Sequence, residues 1–237
     1  IIVLVLILIP VLVLGYLGFM PGVSDIMGTN RPKDLGVRYT AADLKSVFAK
    51  NGMTIINLPQ DSPVWVRYEG KRELKNVKFT QQEITARVNN AADDYKYAGV
   101  HDLQVRFNPD GSFESSGRAD LNMLKFRADD LANKFNVPAG AKKALMAAVD
   151  AIAPLQSEPP FYVKGTLSVT NNKIDFVPES AMLGKIPLDQ VPEDSVARIC
   201  EQAVNEVPGL YVRSLKVVDG QMVFDGTIPE KTYQIPP

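Results

Sequence analysis

The first twenty residues, Ile1 to Met20, read IIVLVLILIPVLVLGYLGFM and carry no charge. This run constrains the chain more than any other feature. Twenty helical residues rise about 30 Å, the thickness of a bilayer's hydrocarbon core. Pro10 lies mid-run and would kink such a helix, which a lipid-embedded helix tolerates. A cleaved signal peptide would have a shorter apolar stretch and a small-residue cleavage site. Here Pro21-Gly22-Val23-Ser24-Asp25 follows instead. The run therefore predicts a retained transmembrane anchor over residues 1–20. Ile1 is not Met, which points to a short preceding piece. The first cation is Arg31, and so sparse a positive flank places the C-terminal part outside the cytosol. The expected location is the cell membrane, single-pass, with an extracytoplasmic domain and the lipid bilayer as a partner.

Residues 21–39 are rich in Gly, Pro and Asn and predict an extended stalk. Beyond it, residues 40–237 have room for one domain. Thr40 and Asp43 have capping-box spacing, Leu44, Val47 and Phe48 form an apolar stripe, and Gly52 ends that helix. Met53 to Leu58 is β-prone, and Val64 to Tyr68 alternates with period two. Val77 and Phe79 lead into a second capping box, Thr80-Gln81-Gln82-Glu83, with Ile84 and Val88 on the helix behind it.

Three hairpins follow from alternation and turn chemistry. The first joins Leu103, Val105 and Phe107 to Phe113 through Asn108-Pro109-Asp110-Gly111. The second joins 161–170 to 173–177 through Asn171-Asn172, with Gly165 weakening the strand or marking a bulge. The third runs 210–218, turns at Asp219-Gly220, and returns to Ile228. Helices are expected over 129–153 and 193–207. Residues 80–120 and 193–228 also echo one another as helix, strand, Asp-Gly turn, strand. The expected class is α+β: an N-terminal transmembrane helix, then an antiparallel sheet of hairpins packed with several helices.

Chemistry is sparse. Cations number 26 and anions 27, so no basic excess favours nucleic acid. One cysteine, Cys200, and one histidine, His101, exclude an intramolecular disulfide and metal sites built on several of either. His101 and Asp102 are neighbours on a strand, where side chains point to opposite faces, so they are not expected to bond. Cys200 sits among apolar helical positions, and Asp93-Asp94 and Asp129-Asp130 lack calcium-loop spacing. Lys71-Arg72 with Lys75 and Lys78 reads as a solvated strand edge. Phosphate-binding loops are absent. No cofactor, no metal and no catalytic residue is expected.

What remains is shape. The helix Ala139 to Ala153 is apolar and slim on one face, with Ala144, Leu145, Ala148, Val149 and Ile152. Slim side chains there leave room for a lipid chain or let the helix pack closely on the sheet. Val105 and Phe107 of the first hairpin join them as candidate groove residues.

The segments Phe79-Thr80-Gln81-Gln82-Glu83-Ile84, Asn108-Pro109-Asp110-Gly111-Ser112-Phe113 and Val217-Val218-Asp219-Gly220-Gln221-Met222-Val223 carry a resemblance to bacterial membrane-anchored proteins related to tubular lipid-binding domains. It covers about residues 70–228. The resemblance implies a curved sheet wrapped on a helix and holding a lipid-like molecule. It brings no catalytic residues. Together these readings predict a non-enzymatic, membrane-anchored protein binding a lipidic or apolar ligand. The alternative is an accessory subunit whose anchor packs against other transmembrane subunits and whose domain caps the complex.

Overall fold

The structure is a computed structural model that describes residues 12–14, 16–20, 22–94, 99–121, 123, 158–188, 201 and 204–237. Its elements, in chain order, are α1 (Val23–Met27), α2 (Ala41–Asn51), β1 (Thr54–Asn57), β2 (Val66–Glu69), β3 (Arg72–Thr80) and α3 (Gln81–Asp94). The strands β4 (Val100–Phe107), β5 (Ser112–Ala119), β6 (Pro160–Thr170), β7 (Lys173–Leu183) and β8 (Ile186–Pro187) follow. The last are β9 (Tyr211–Val218), β10 (Gln221–Ile228) and β11 (Lys231–Gln234).

All three hairpins form where their turns place them, as β4–β5, β6–β7 and β9–β10. They join β3 in one eight-stranded sheet of order β3-β10-β9-β6-β5-β4, with β7 and then β8 branching from β6. One edge of β6 pairs with β7 along its length. The other edge is shared, with Pro160 to Thr166 facing β5 and Ser168 to Thr170 facing β9. This split sets the turns of β4–β5 and β9–β10 side by side. A Cβ added at Gly111 would lie 3.5 Å from the Val217 carbonyl oxygen, and one at Gly220 would lie 3.6 Å from that of Phe107. The two Asp-Gly hairpins of the echo thus meet at their turns, while most of the second copy's helix lies outside the described residues. Gly165 sits at a bulge between Lys164 and Gly165, where a side chain would strike the Val177 carbonyl. A smaller sheet, β1-β11-β2, places β1 parallel to β11 and β2 antiparallel to it.

Both capping boxes form. The Thr40 hydroxyl accepts from the Asp43 N–H at 3.4 Å and the Asp43 carboxylate accepts from the Thr40 N–H at 2.8 Å. Thr80 and Glu83 repeat the exchange at 3.2 and 2.9 Å. The core gathers Val47, Leu74, Phe79, Val169, Val212 and Phe224 from α2, β3, β6, β9 and β10.

The terminal strand β4 is sealed by side chains rather than by another strand. Gln81, Thr85 and Asn89 stand at i, i+4 and i+8 on α3, about 6 Å apart along its axis. Phe107, Val105 and Leu103 repeat along the strand edge at about 6.8 Å. The near match lets each helix side chain serve one strand residue. Gln81 Oε1 accepts from the Phe107 N–H at 3.2 Å. Thr85 Oγ1 accepts from the Val105 N–H at 3.0 Å and donates to its carbonyl at 3.2 Å. Asn89 does the same at Leu103, at 2.9 and 2.7 Å. Open edges invite pairing with other chains, and this ladder closes one.

The structure corrects two expectations. The first is the anchor at residues 1–20. Among the described residues, no helix is long and apolar enough to cross a membrane. Residues 12–14 and 16–17 are helical, but a turn follows at Gly18, whose φ is +90°. Phe19 is 1 % exposed, and the Lys185 N–H donates to the Leu17 carbonyl at 3.1 Å. Gly184 lies so near that carbonyl that a Cβ there would strike it. The end of the apolar run therefore packs on the β7–β8 turn, while residues 1–11 and 15 of that run lie outside the described residues. The single-pass cell-membrane location, with its extracytoplasmic domain, rested on that span and is withdrawn with it. The second is the α+β class with an N-terminal transmembrane helix. Among the described residues strand predominates, at 45 % against 23 % helix, and the main sheet curls into a half-barrel. The hairpins pair with one another across β6, with β3 at the edge beyond β10, and the helices expected over 129–153 and most of 193–207 lie outside the described residues. Within 21–39, residues 23–27 are helical, and Leu35 and Val37 are buried.

Candidate functional site

Inside the curl lies a cavity of about 460 Å³. This volume equals that of roughly fifteen waters. It also falls within the range of small-molecule sites. The two helices reach it through Val47 and Asn51 on α2 and Ile84, Arg87 and Ala91 on α3. Leu74 and Phe79 of β3 line one wall, and Met222, Phe224 and Ile228 of β10 another. The small sheet closes an end with Val66, Tyr68, Thr232 and Gln234.

A buried carboxylate sets the helices that present these groups. Glu83 opens α3 and accepts from Ser46 Oγ at 2.5 Å and Lys50 Nζ at 2.7 Å, both on α2. Lys50 also donates to the Lys78 carbonyl of β3 at 2.9 Å. Burial acts to raise the pKa of Glu83, but the bonds from Lys50, Ser46 and Thr80 outweigh it and hold the group below its ordinary range. Crosslinked in this way, α2 and α3 keep Val47 and Ile84 facing the sheet. The polar lining is mostly neutral. Asn51, Thr232 and Gln234 are buried, and Asn51 Oδ1 accepts from the Met53 N–H at 2.8 Å. Arg87 is the one charged side chain among the described lining residues, with its guanidinium 5.5 Å above the Phe48 ring.

A second buried carboxylate, Glu114 on β5, lies away from the cavity. It accepts from Arg106 Nε at 3.0 Å, Tyr162 Oη at 2.7 Å, Lys33 Nζ at 3.2 Å and Asn108 Nδ2 at 3.3 Å. Burial again works to raise its pKa, yet these four partners bring it down to about 2. Lys33 also sits 3.8 Å over the Tyr162 ring. The cluster fastens residues 31–38 to β4, β5 and β6, and its donors fill the carboxylate. A smaller cavity of about 290 Å³, with Arg38, Asp102 and Gln104 in its wall, lies beside β4.

The predicted groove residues divide. Val105 and Phe107 are on β4, Phe107 buried, and neither lines the large cavity. Ala144, Leu145, Ala148, Val149 and Ile152 lie outside the described residues, as do Cys200 and Asp129-Asp130. Lys71 precedes β3, and Arg72, Lys75 and Lys78 lie on it, exposed at the end of the large sheet. His101 differs from expectation. A bulge between His101 and Gln104 gives Asp102 a φ of +53° and turns its carboxylate to 3.5 Å from His101 Nδ1. Glu158 stands 3.1 Å from Nε2. Among the described residues, no three His, Cys, Asp or Glu are placed to hold a metal ion.

The cavity residues were visible in the sequence only as core positions. Val47, Phe79 and Ile84 flank the two capping boxes, and Met222 and Phe224 belong to the third hairpin. Nothing in their spacing separates a lining residue from a packed one. No protein-family model matches the chain, and no curated protein or solved structure matches it either.

Proposed function

We propose that this chain is a non-enzymatic binding protein that takes an apolar ligand into the cavity between α2, α3, β3 and β10. The observation that carries the reading is the apolar volume of about 460 Å³ within the curled sheet. A cavity of this kind, walled by aliphatic and aromatic side chains with a few buried polar groups, suits a small apolar molecule. The two buried carboxylates support a binding role over catalysis, because Glu83 and Glu114 are occupied by their donors and neither lines the cavity. The resemblance to tubular lipid-binding domains points the same way.

The test is titration of the whole chain with the apolar dye N-phenylnaphthylamine, alongside native mass spectrometry of gently purified protein. Saturable dye binding and a bound small molecule are expected. Ala91→Phe fills space between α3 and the cavity and should weaken dye binding at least about tenfold, with an unchanged circular dichroism spectrum. A wild-type chain that neither binds dye nor carries a ligand would refute the proposal, as would a folded Ala91→Phe protein that binds as well as wild type.

A further inference from the structure

The polar part of the lining specifies a functional group, and we infer that the ligand is an apolar molecule carrying one neutral carbonyl oxygen, received by the Asn51 amide nitrogen and the Thr232 hydroxyl. This rests on the reading of the cavity as a ligand site. Asn51 and Thr232 both line it, and each is only 7 % exposed. Their bonds meet at one residue. Asn51 Oδ1 accepts from the Met53 N–H at 2.8 Å, and Thr232 Oγ1 donates to Met53 Sδ at 3.3 Å. Met53 lines the cavity too. The parallel pairing of β1 with β11, in which Ile55 stands opposite Thr232, holds the two donors at the same end.

The bond from Met53 fixes which way round the Asn51 amide lies. Its oxygen is taken, so the nitrogen is the group left over. Among the described residues nothing accepts from Nδ2. A buried amide donor without an acceptor forfeits the hydrogen bond that water gives it in the unfolded chain, and an acceptor on a ligand restores it. The Thr232 hydroxyl is nearly as available, because a thioether is a weak acceptor and a carbonyl oxygen a better one. A carbonyl oxygen has two lone pairs and no proton of its own, which matches two donors. The apolar remainder of the molecule meets Leu74, Phe79, Met222 and Phe224. A carboxylate is a poorer match, since losing its hydration costs far more than losing that of a neutral carbonyl unless a cation replaces the water. Arg87 already has a partner within the protein, and its guanidinium lies over Phe48, outside the lining.

The experiment uses 2-nonanone and butylbenzene, of which only the first has an acceptor oxygen, as competitors for the dye on the full chain. Both should displace it. The infrared carbonyl stretch of isotope-labelled 2-nonanone should lie at lower frequency in the protein than in hexane, as hydrogen bonding requires. Asn51→Asp keeps an acceptor for the Met53 N–H and removes the donor, so the ratio of 2-nonanone to butylbenzene affinity should fall about tenfold. Thr232→Val keeps the shape and should lower that ratio about threefold. In both variants the stretch should move toward its hexane value. Bound 2-nonanone with a stretch equal to that in hexane would overturn the carbonyl assignment, and so would a ratio unchanged in both folded variants. So would butylbenzene displacing the dye where 2-nonanone does not; all three results leave the cavity reading standing. A wild-type chain that binds neither dye nor competitor would sink the cavity reading itself. Should Asn51→Asp not fold, the wild-type stretch and Thr232→Val decide.

Discussion

Thr85→Val tests the device that closes the β4 edge. Thr85 is fully buried, and its hydroxyl both accepts from the Val105 N–H and donates to the Val105 carbonyl. Valine has nearly the same shape and opens no cavity, so the change isolates the two hydrogen bonds. Each backbone group left without a partner costs about 1–3 kcal/mol. Val105 is only half-buried, which lets water recover part of that cost. The expected net loss is about 2–4 kcal/mol, or roughly 5–15 °C in Tm for a chain of this size. Thr85→Ser keeps the hydroxyl and removes one methyl, so it should cost about 1 kcal/mol. Urea unfolding gives the free energies, provided the m value is unchanged. Amide hydrogen exchange gives the location. Val105 should lose protection in Thr85→Val, while Leu103 and Phe107 keep the bonds they make to Asn89 and Gln81. The reasoning fails if Thr85→Val unfolds within about 0.5 kcal/mol of wild type and Val105 exchanges at the wild-type rate.

Two further expectations concern the anchoring of the N-terminal part. Glu114 has an ordinary value of 4.5 and is held at about 2 in the folded chain, so the stabilisation it supplies is complete above 4.5 and is lost as pH falls toward 2. The shift corresponds to about 3 kcal/mol; acid titration of Glu114→Gln should show a flatter stability profile between pH 4.5 and 2 than wild type, and parallel profiles would contradict the assignment. Phe19→Ala should destabilise the domain by about 3–5 kcal/mol, since a fully buried phenyl ring is removed. A Tm unchanged by that substitution would mean that the end of the apolar run is not part of the core.

The local features of this fold were legible because their causes are local. A hydroxyl three residues before a carboxylate at a helix start makes a capping box from groups within one turn, and Thr40–Asp43 and Thr80–Glu83 both do so. Asn171-Asn172, with φ of 52° and 62°, has the two-residue conformation that a tight hairpin turn requires. The same locality misled at the N-terminus. Twenty uncharged residues satisfy the length of a membrane span, but hydropathy does not distinguish lipid from a protein core as the partner, and Phe19 found the core.

The sequence by itself determined the hairpins, their turns and the helix starts, because those depend on residues within a few positions of one another. The tertiary structure decided which strands are neighbours, which faces are inside and where space remains. On β5 the buried face is Ser112, Glu114 and Ser116, all polar, so no pattern of hydrophobicity could have assigned it. Glu114 is tolerable there only because Lys33, Arg106, Asn108 and Tyr162 converge on it from three stretches of the chain. The cavity has the same origin. Val47, Leu74, Ile84, Phe224 and Ile228 each read as core residues, and only the curl that brings them together leaves a volume that none of them fills.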